Sequence, residues 1–239
     1  MAAASIDGPQ IRENFERDGY AVVENFLSHD DIGLLKSEML KIVDEMNPEE
    51  HPNSVFTTYG DQKQSTDTYF LESSDKIRFF YEELAFDKEG RMLTDKHSSL
   101  NKVGHALHWL NDVYKRVTFS KKFLDVVAAV GMTDPAVVQS MYIFKPAKIG
   151  GAVTPHCDGT FLHSTPLKNS LMGLWIALED ATIENCCLWF IPGSHKDPQM
   201  AKLDYFFERT GSKDGQLLRF SGEKPRFDES KFIPLPVKK

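Results

Sequence analysis

Thr154-Pro155-His156-Cys157-Asp158-Gly159-Thr160 sets an imidazole and a carboxylate two residues apart on a backbone that must turn. Side chains at this spacing can converge on one metal ion. Two histidines and one carboxylate hold non-haem Fe(II) on one face and leave the opposite positions open. The second histidine of such a set lies at a distance in the sequence.

His-x-Asp by itself is a weak pattern. Chance pairing of the eight histidines with the aspartates of this chain supplies roughly 0.6 matches. Three are present: His29/Asp31, His156/Asp158 and His195/Asp197. His29/Asp31 stands at a capped helix start, where the positive end of the helix dipole accounts for Asp31. His195/Asp197 follows the turn Pro192-Gly193-Ser194 and reads as surface loop. His156/Asp158 follows Gly150-Gly151 and Pro155 just beyond a long strand, where ligands approach backbone. His105 and His108, three apart, read as one face of a helix. Cys186-Cys187 lacks a zinc spacing, and glycine-rich nucleotide-binding runs are missing from the sequence.

Outward from that stretch, the preceding half reads as helices. Pro9–Asp18 carries Ile11 and Phe15 four apart and ends before Gly19. Ser28 caps a stronger helix, with Asp31 three residues on as a capping-box variant. Its apolar stripe is Ile32, Leu35, Met39, Ile42, Val43 and Met46. Ser74 is expected to cap a helix with Ile77, Phe80, Tyr81 and Leu84. Gly104–Val117 reads as another, and Ser120 starts a last one ending at Gly131. Short strands are expected at Tyr20–Val23 and Tyr69–Leu71, with polar loop across His51–Thr68. Asp87–Lys96 reads as a solvated charged stretch, and Met200–Phe207 is ambiguous.

After Thr133 the period becomes that of strands: Ala136–Phe144, Ser170–Leu178 and Cys187–Ile191. Phe232–Pro236 is extended, and its prolines bar a central strand position. The expectation is one domain over residues 1–239 of α+β class, helical first and β-rich second.

The 239 residues suffice for a sizeable core without staples. The net charge of −7 gives no nucleic-acid footprint. Three cysteines, two of them adjacent, make a poor disulfide framework and suit a reducing, cytoplasmic compartment. No apolar run reaches the ~20 residues of a membrane span, and the first residues lack the character of a signal peptide.

The succession Asn101–His108, Gln139–Lys145, Thr154–Asp158, Leu174–Thr182 and Leu188–His195 resembles the phytanoyl-CoA dioxygenase family, from about Ile11 to Pro236. The resemblance implies a double-stranded β-helix, or jelly roll, behind N-terminal helices. It implies an oxidoreductase using Fe(II), with 2-oxoglutarate as cosubstrate. His156 and Asp158 would be metal ligands. Lys102, Met141 and Trp175 would line the 2-oxoglutarate pocket. The substrate would be a small molecule, acyl-CoA-like by the family's name, although no basic cluster for CoA phosphates stands out. The oligomeric state is left open.

The family's distal histidine, and the arginine that holds the far carboxylate of 2-oxoglutarate, have no counterpart here. The chain is therefore expected to be a truncated isoform whose closing strands are missing, with exposed sheet edges, weak metal affinity and little turnover. His195, then His163, are the nearest substitute ligands. Arg209, Arg219 and Arg226 could serve a carboxylate, without support from their spacing. The alternative is a catalytically inactive binding or regulatory pseudoenzyme.

Overall fold

A side-chain oxygen starts each long helix. In the computed structural model, which describes residues 6–58, 66–162, 171–198, 205–211 and 217–239, α1 spans Gly8–Asp18 and α2 spans His29–Glu45. Asp7 accepts from the Gln10 N–H at 3.1 Å, and Gly19 closes α1 at φ +84°, a conformation that favours glycine. Ser28 Oγ accepts from the Asp31 N–H at 3.1 Å and donates to Asp31 Oδ2 at 2.7 Å. The expected capping pair therefore forms, with the carboxylate on the hydroxyl.

Then come α3 (Thr68–Leu71), β1 (Ile77–Tyr81), α4 (Lys96–Ser99), β2 (Leu100–His105), α5 (Leu107–Leu110), α6 (Asp112–Thr118) and α7 (Lys121–Ala129). The later strands are β3 (Ser140–Ile143), β4 (Leu188–Phe190), β5 (Phe206–Arg209), β6 (Leu218–Ser221) and β7 (Ile233–Leu235). β1, β2 and β3 form an antiparallel sheet in that order, β4 pairs with β7, and β5 pairs with β6.

The stripe on α2 ties the molecule together. Ile32 and Leu35 pack with Leu27 and with Phe123 of α7. One to two turns on, Met39 and Val43, with Met46 beyond the helix, pack with Phe79, Tyr81, Leu100 and Val103. Strand alternation then splits the three-stranded sheet into two faces. The row Phe79–Val103–Tyr142 lies on the core side under α2. The rows Phe80–Lys102–Ile143 and Arg78–Gly104–Met141 point the other way.

Several expected elements differ. Ile77–Tyr81 is a strand rather than helix, because residues on both of its faces are covered and its apolar spacing mimics a helical one. Gly104–Val117 is not one helix. Its start belongs to β2, and Asn111 interrupts the rest by capping α6 through bonds from the Val113 and Tyr114 N–H groups. His105 and His108 thus sit on a strand and on a short helix. Tyr69–Leu71 lies in α3, begun by Asp67, which accepts from the Tyr69 N–H at 2.8 Å. Among the described residues Tyr20–Val23 has no ladder partner, and Tyr20 stacks on Phe190 instead.

Of Ala136–Phe144 the ladder with β2 takes Ser140–Ile143, and the Phe144 N–H adds one bond to the Asn101 carbonyl at 2.8 Å. Residues 171–177 carry no helix or strand and Leu178 is a bend, with no ladder partner among the described residues; Ser170 lies outside these, as do 200–204 of the ambiguous stretch. Cys187–Ile191 contains β4, and Phe232–Pro236 contains β7, whose Pro234 faces Trp189 in a two-stranded sheet where every strand is an edge.

The architecture is mixed helix and antiparallel sheet, helices first. The described pairings do not by themselves make up a double-stranded β-helix. Among the described residues no helix is long and apolar enough to cross a membrane.

Met39 is 1% exposed on the stripe, while its neighbour Leu40 is 53% exposed. Met39→Ala should cost about 2–5 kcal/mol in urea unfolding, and Leu40→Ala about 0.5 kcal/mol or less.

Candidate active site

The stretch after β3 reaches His156 without helix or strand. Side chains from the end of β1 and from residues before it hold this stretch. Glu82, 1% exposed, accepts from Asn101 Nδ2 through Oε1 and from the Gly151 N–H through Oε2, both at 3.0 Å. The close approach suits the Gly-Gly pair: a Cβ on Gly150 would stand 3.0 Å from the Pro146 carbonyl oxygen. Thr58 Oγ1 donates to the Ala152 carbonyl at 2.9 Å and accepts from the Thr154 N–H at 3.1 Å. Thr154 Oγ1 donates back to the Thr58 carbonyl at 2.8 Å.

The chain then delivers the pair. His156 Nδ1 lies 2.8 Å from the Thr154 carbonyl oxygen, and Nε2 lies 3.4 Å from Asp158 Oδ1. Asp158 opens a single 3-10 turn, Asp158–Thr160, whose backbone holds the carboxylate beside the ring. The side-chain bond to Asp158 raises the His156 pKa above its ordinary value; burial and the charge of Lys102 oppose the rise. A cation is thus favoured between ring nitrogen and carboxylate.

Lys102 is 7% exposed. Its Nζ sits over the Phe56 ring, 3.0 Å from the centroid, and 3.9 Å from Met141 Sδ. Burial pushes its pKa down to about 7, outweighing the attraction of the ring face for a cation. Burial, then Lys102, lowers His105 to about 4. Ser73 Oγ spends its only hydrogen on the Phe70 carbonyl at 2.6 Å, so it accepts from His105 Nδ1–H at 2.7 Å. Gly104 leaves the space that Met141 takes, for a Cβ there would stand 3.0 Å from Met141 Cγ.

Of the sequence-derived residues, Lys102 and Met141 share one sheet face, and the field of Lys102 reaches His156. Trp175 is 47% exposed on the unpaired stretch two residues beyond Gly173, where a Cβ would lie 3.5 Å from Asp158 Oδ2. Its neighbours Ile176 and Leu178 face the helical cluster. His195 is engaged elsewhere: Nε2 bonds the Glu16 carbonyl at 3.1 Å and the ring lies against Gly19. His163 lies outside the described residues. Among those described, no three of His, Cys, Asp and Glu gather into a metal-holding group.

The pair itself suits a metal. Two donors each about 2.1 Å from one ion, at about 90–110°, stand about 3.0–3.4 Å apart, the separation found here. Nδ1 is engaged by a carbonyl, which keeps its hydrogen in place when Nε2 gives up its own to ligate. Beside the pair, Phe161 meets the His156 ring edge-on, and Phe207 of β5 and Phe220 of β6 flank Phe161. Glu82, Thr58, Phe56, His105 and this aromatic group carry no motif; only Gly150-Gly151 hinted at the close backbone approach.

Comparison with known proteins places this geometry in context. The family model for phytanoyl-CoA dioxygenase matches residues 15–239. A Caenorhabditis elegans protein named phytanoyl-CoA dioxygenase domain-containing protein 1 homolog is 50% identical over 230 residues, 96% of this chain and 79% of that protein. The Danio rerio protein named phytanoyl-CoA dioxygenase domain-containing protein 1 is 43% identical, covering 95% of this chain and 77% of its own length. An Arabidopsis thaliana protein named phytanoyl-CoA dioxygenase is 40% identical over 96% of this chain and 77% of its own.

Lys102 holds its proton less firmly in the folded chain than in the unfolded one. Its burial therefore destabilises most below pH 7, and the penalty lifts as pH rises from about 7 toward 10.5. Lys102→Met should stabilise the ligand-free protein by about 1–3 kcal/mol at pH 7. Thermal unfolding at several pH values should show that gain shrinking as pH rises toward 10.5.

Proposed function

The chain belongs to the phytanoyl-CoA dioxygenase family, and from that premise we propose that it is an Fe(II)- and 2-oxoglutarate-dependent hydroxylase, with His156 and Asp158 as two of its metal ligands. The observation that carries the reading is the 3.4 Å approach of His156 Nε2 to Asp158 Oδ1, within the field of the buried Lys102. When bound, iron would let dioxygen act as the oxidant, one oxygen atom entering succinate as 2-oxoglutarate loses CO2 and the other hydroxylating the substrate.

The chain's residues supply the rest. A carboxylate in a dry pocket needs a cation, and Lys102 provides one by taking up a proton as the anion arrives. Met141 lines the same face, and Trp175 packs from the stretch beside Asp158. The Thr154 carbonyl keeps the proton on His156 Nδ1. Phe161, Phe207 and Phe220 exclude water and favour an apolar portion of the substrate. The relatives' names speak of phytanoyl-CoA; an acyl-CoA-like small molecule is the corresponding proposal here. The sheets would be parts of one double-stranded β-helix within a single domain over residues 1–239. The free cysteines suit a reducing compartment such as the cytoplasm.

A second reading, a pseudoenzyme that keeps the half-site for binding or regulation, draws on one observation. Among the described residues no third ligand joins the pair. Incubation with Fe(II), ascorbate and 2-oxoglutarate separates the two. Succinate release that His156→Ala abolishes is expected of the hydroxylase. Binding of 2-oxoglutarate with no succinate would select the pseudoenzyme. At pH 8, binding of 2-oxoglutarate should take up close to one proton, read calorimetrically in buffers of different ionisation enthalpy, and Lys102→Met should remove that uptake.

A further inference from the structure

We infer that Thr58 is a positioning residue for the metal: through Thr154 it fixes which nitrogen of His156 is free to ligate. The inference rests on the hydroxylase reading. A carbonyl only accepts, so the 2.8 Å contact between His156 Nδ1 and the Thr154 carbonyl calls for the hydrogen on Nδ1, and the same contact turns Nε2 toward Asp158, 3.4 Å away, where Nε2 exchanges its own hydrogen for the metal. The direction of that carbonyl follows from the orientation of the Thr154 peptides. No helix or strand between β3 and Asp158 sets it.

Thr58 sets it instead. One hydroxyl hydrogen and two lone pairs are available, and here the hydrogen goes to the Ala152 carbonyl while a lone pair takes the Thr154 N–H. The bond from Thr154 Oγ1 to the Thr58 carbonyl makes the grip reciprocal. Thr58 has a firm footing two residues away. The Phe56 N–H donates to the Tyr81 carbonyl at 3.1 Å, and Val55 bridges Tyr81 at the end of β1. The Phe56 ring also lies under Lys102 Nζ. One short segment therefore touches the lysine proposed for the cosubstrate and the backbone that aims the metal histidine. Glu82 holds Gly151 from the same strand end, a second grip on the stretch that Thr58 orients.

The test uses the full chain in four forms: wild type, Thr58→Val, Thr58→Ser and His156→Ala. Each is titrated anaerobically with Fe(II) at pH 7. Nitrogen-15 NMR of labelled histidine, recorded at pH 9 before metal is added, reads the tautomer of His156 in its neutral form. Thr58→Val keeps the shape and removes the hydroxyl. It should weaken Fe(II) binding about 10–100-fold and move the His156 signals from the Nδ1–H form toward a mixture. Thr58→Ser should stay near wild type in both. Should Thr58→Val not fold, Thr154→Val, which removes only the return bond, is expected to shift both readouts in the same direction.

Wild-type affinity and tautomer in Thr58→Val would overturn the inference, as would equal loss in the Val and Ser forms with a parallel fall in Tm. If His156→Ala loses Fe(II) while Thr58→Val does not, the inference alone falls. If wild type and His156→Ala bind Fe(II) alike, the hydroxylase reading falls and takes the inference with it.

Discussion

The carboxylate of Glu82 is buried at the end of β1 and accepts one hydrogen bond from β2 and one from the backbone at Gly151. Removing a carboxylate from water is costly unless donors replace the water, and hydrogen bonds to a charged group contribute about 1.5–3 kcal/mol each. Those two donors come from elements that no regular ladder joins at this point. The requirement that Glu82 be satisfied therefore ties the stretch leading to His156 to the sheet. Together with the bonds from Thr58, that tie gives the pair His156/Asp158 a defined position although no helix or strand carries it.

The sheet that receives this tie serves two purposes by strand alternation alone. Phe79, Val103 and Tyr142 bury one face beneath α2. Phe80, Lys102 and Ile143 occupy the opposite face, where Phe80 packs against Tyr69 and Phe70. Stability and chemistry are thereby drawn from the same six residues of β2. The apolar face and α2 must offset the desolvation of Lys102 on the other side. Gly104 belongs to this compromise, since its missing Cβ admits Met141 beside the lysine.

Sequence patterns were legible where the local chain decides the outcome. α1 and α2 follow from the capping oxygens of Asp7 and Ser28, α1 and α7 stop before the left-handed glycines Gly19 and Gly131, and α2 adds an apolar stripe. β1 and the last two residues of β2, Gly104 and His105, carry a helical spacing in the sequence because both faces of the strands are covered, which erases the period-2 signal. Residues 171–178 have a strand-like composition, and Ile176 and Leu178 pack inward, yet no ladder partner meets them among the described residues. At the site, His156 and Asp158 stood out by spacing and by the strand and glycines before them. Lys102 did not: only family resemblance singled it out, because a buried lysine on a strand looks the same in sequence as an exposed one.

The amino-acid sequence by itself determined the helical beginning, the strand-rich continuation and the His-x-Asp stretch, since caps, periodicity and short spacings are properties of neighbouring residues. Only the tertiary structure decided that Glu82 and Thr58 hold that stretch, that Lys102 lies buried over Phe56, and that His195 turns away to Glu16. These are contacts between residues tens to well over a hundred positions apart. Their energies come from burial and desolvation, which exist only once the chain has folded.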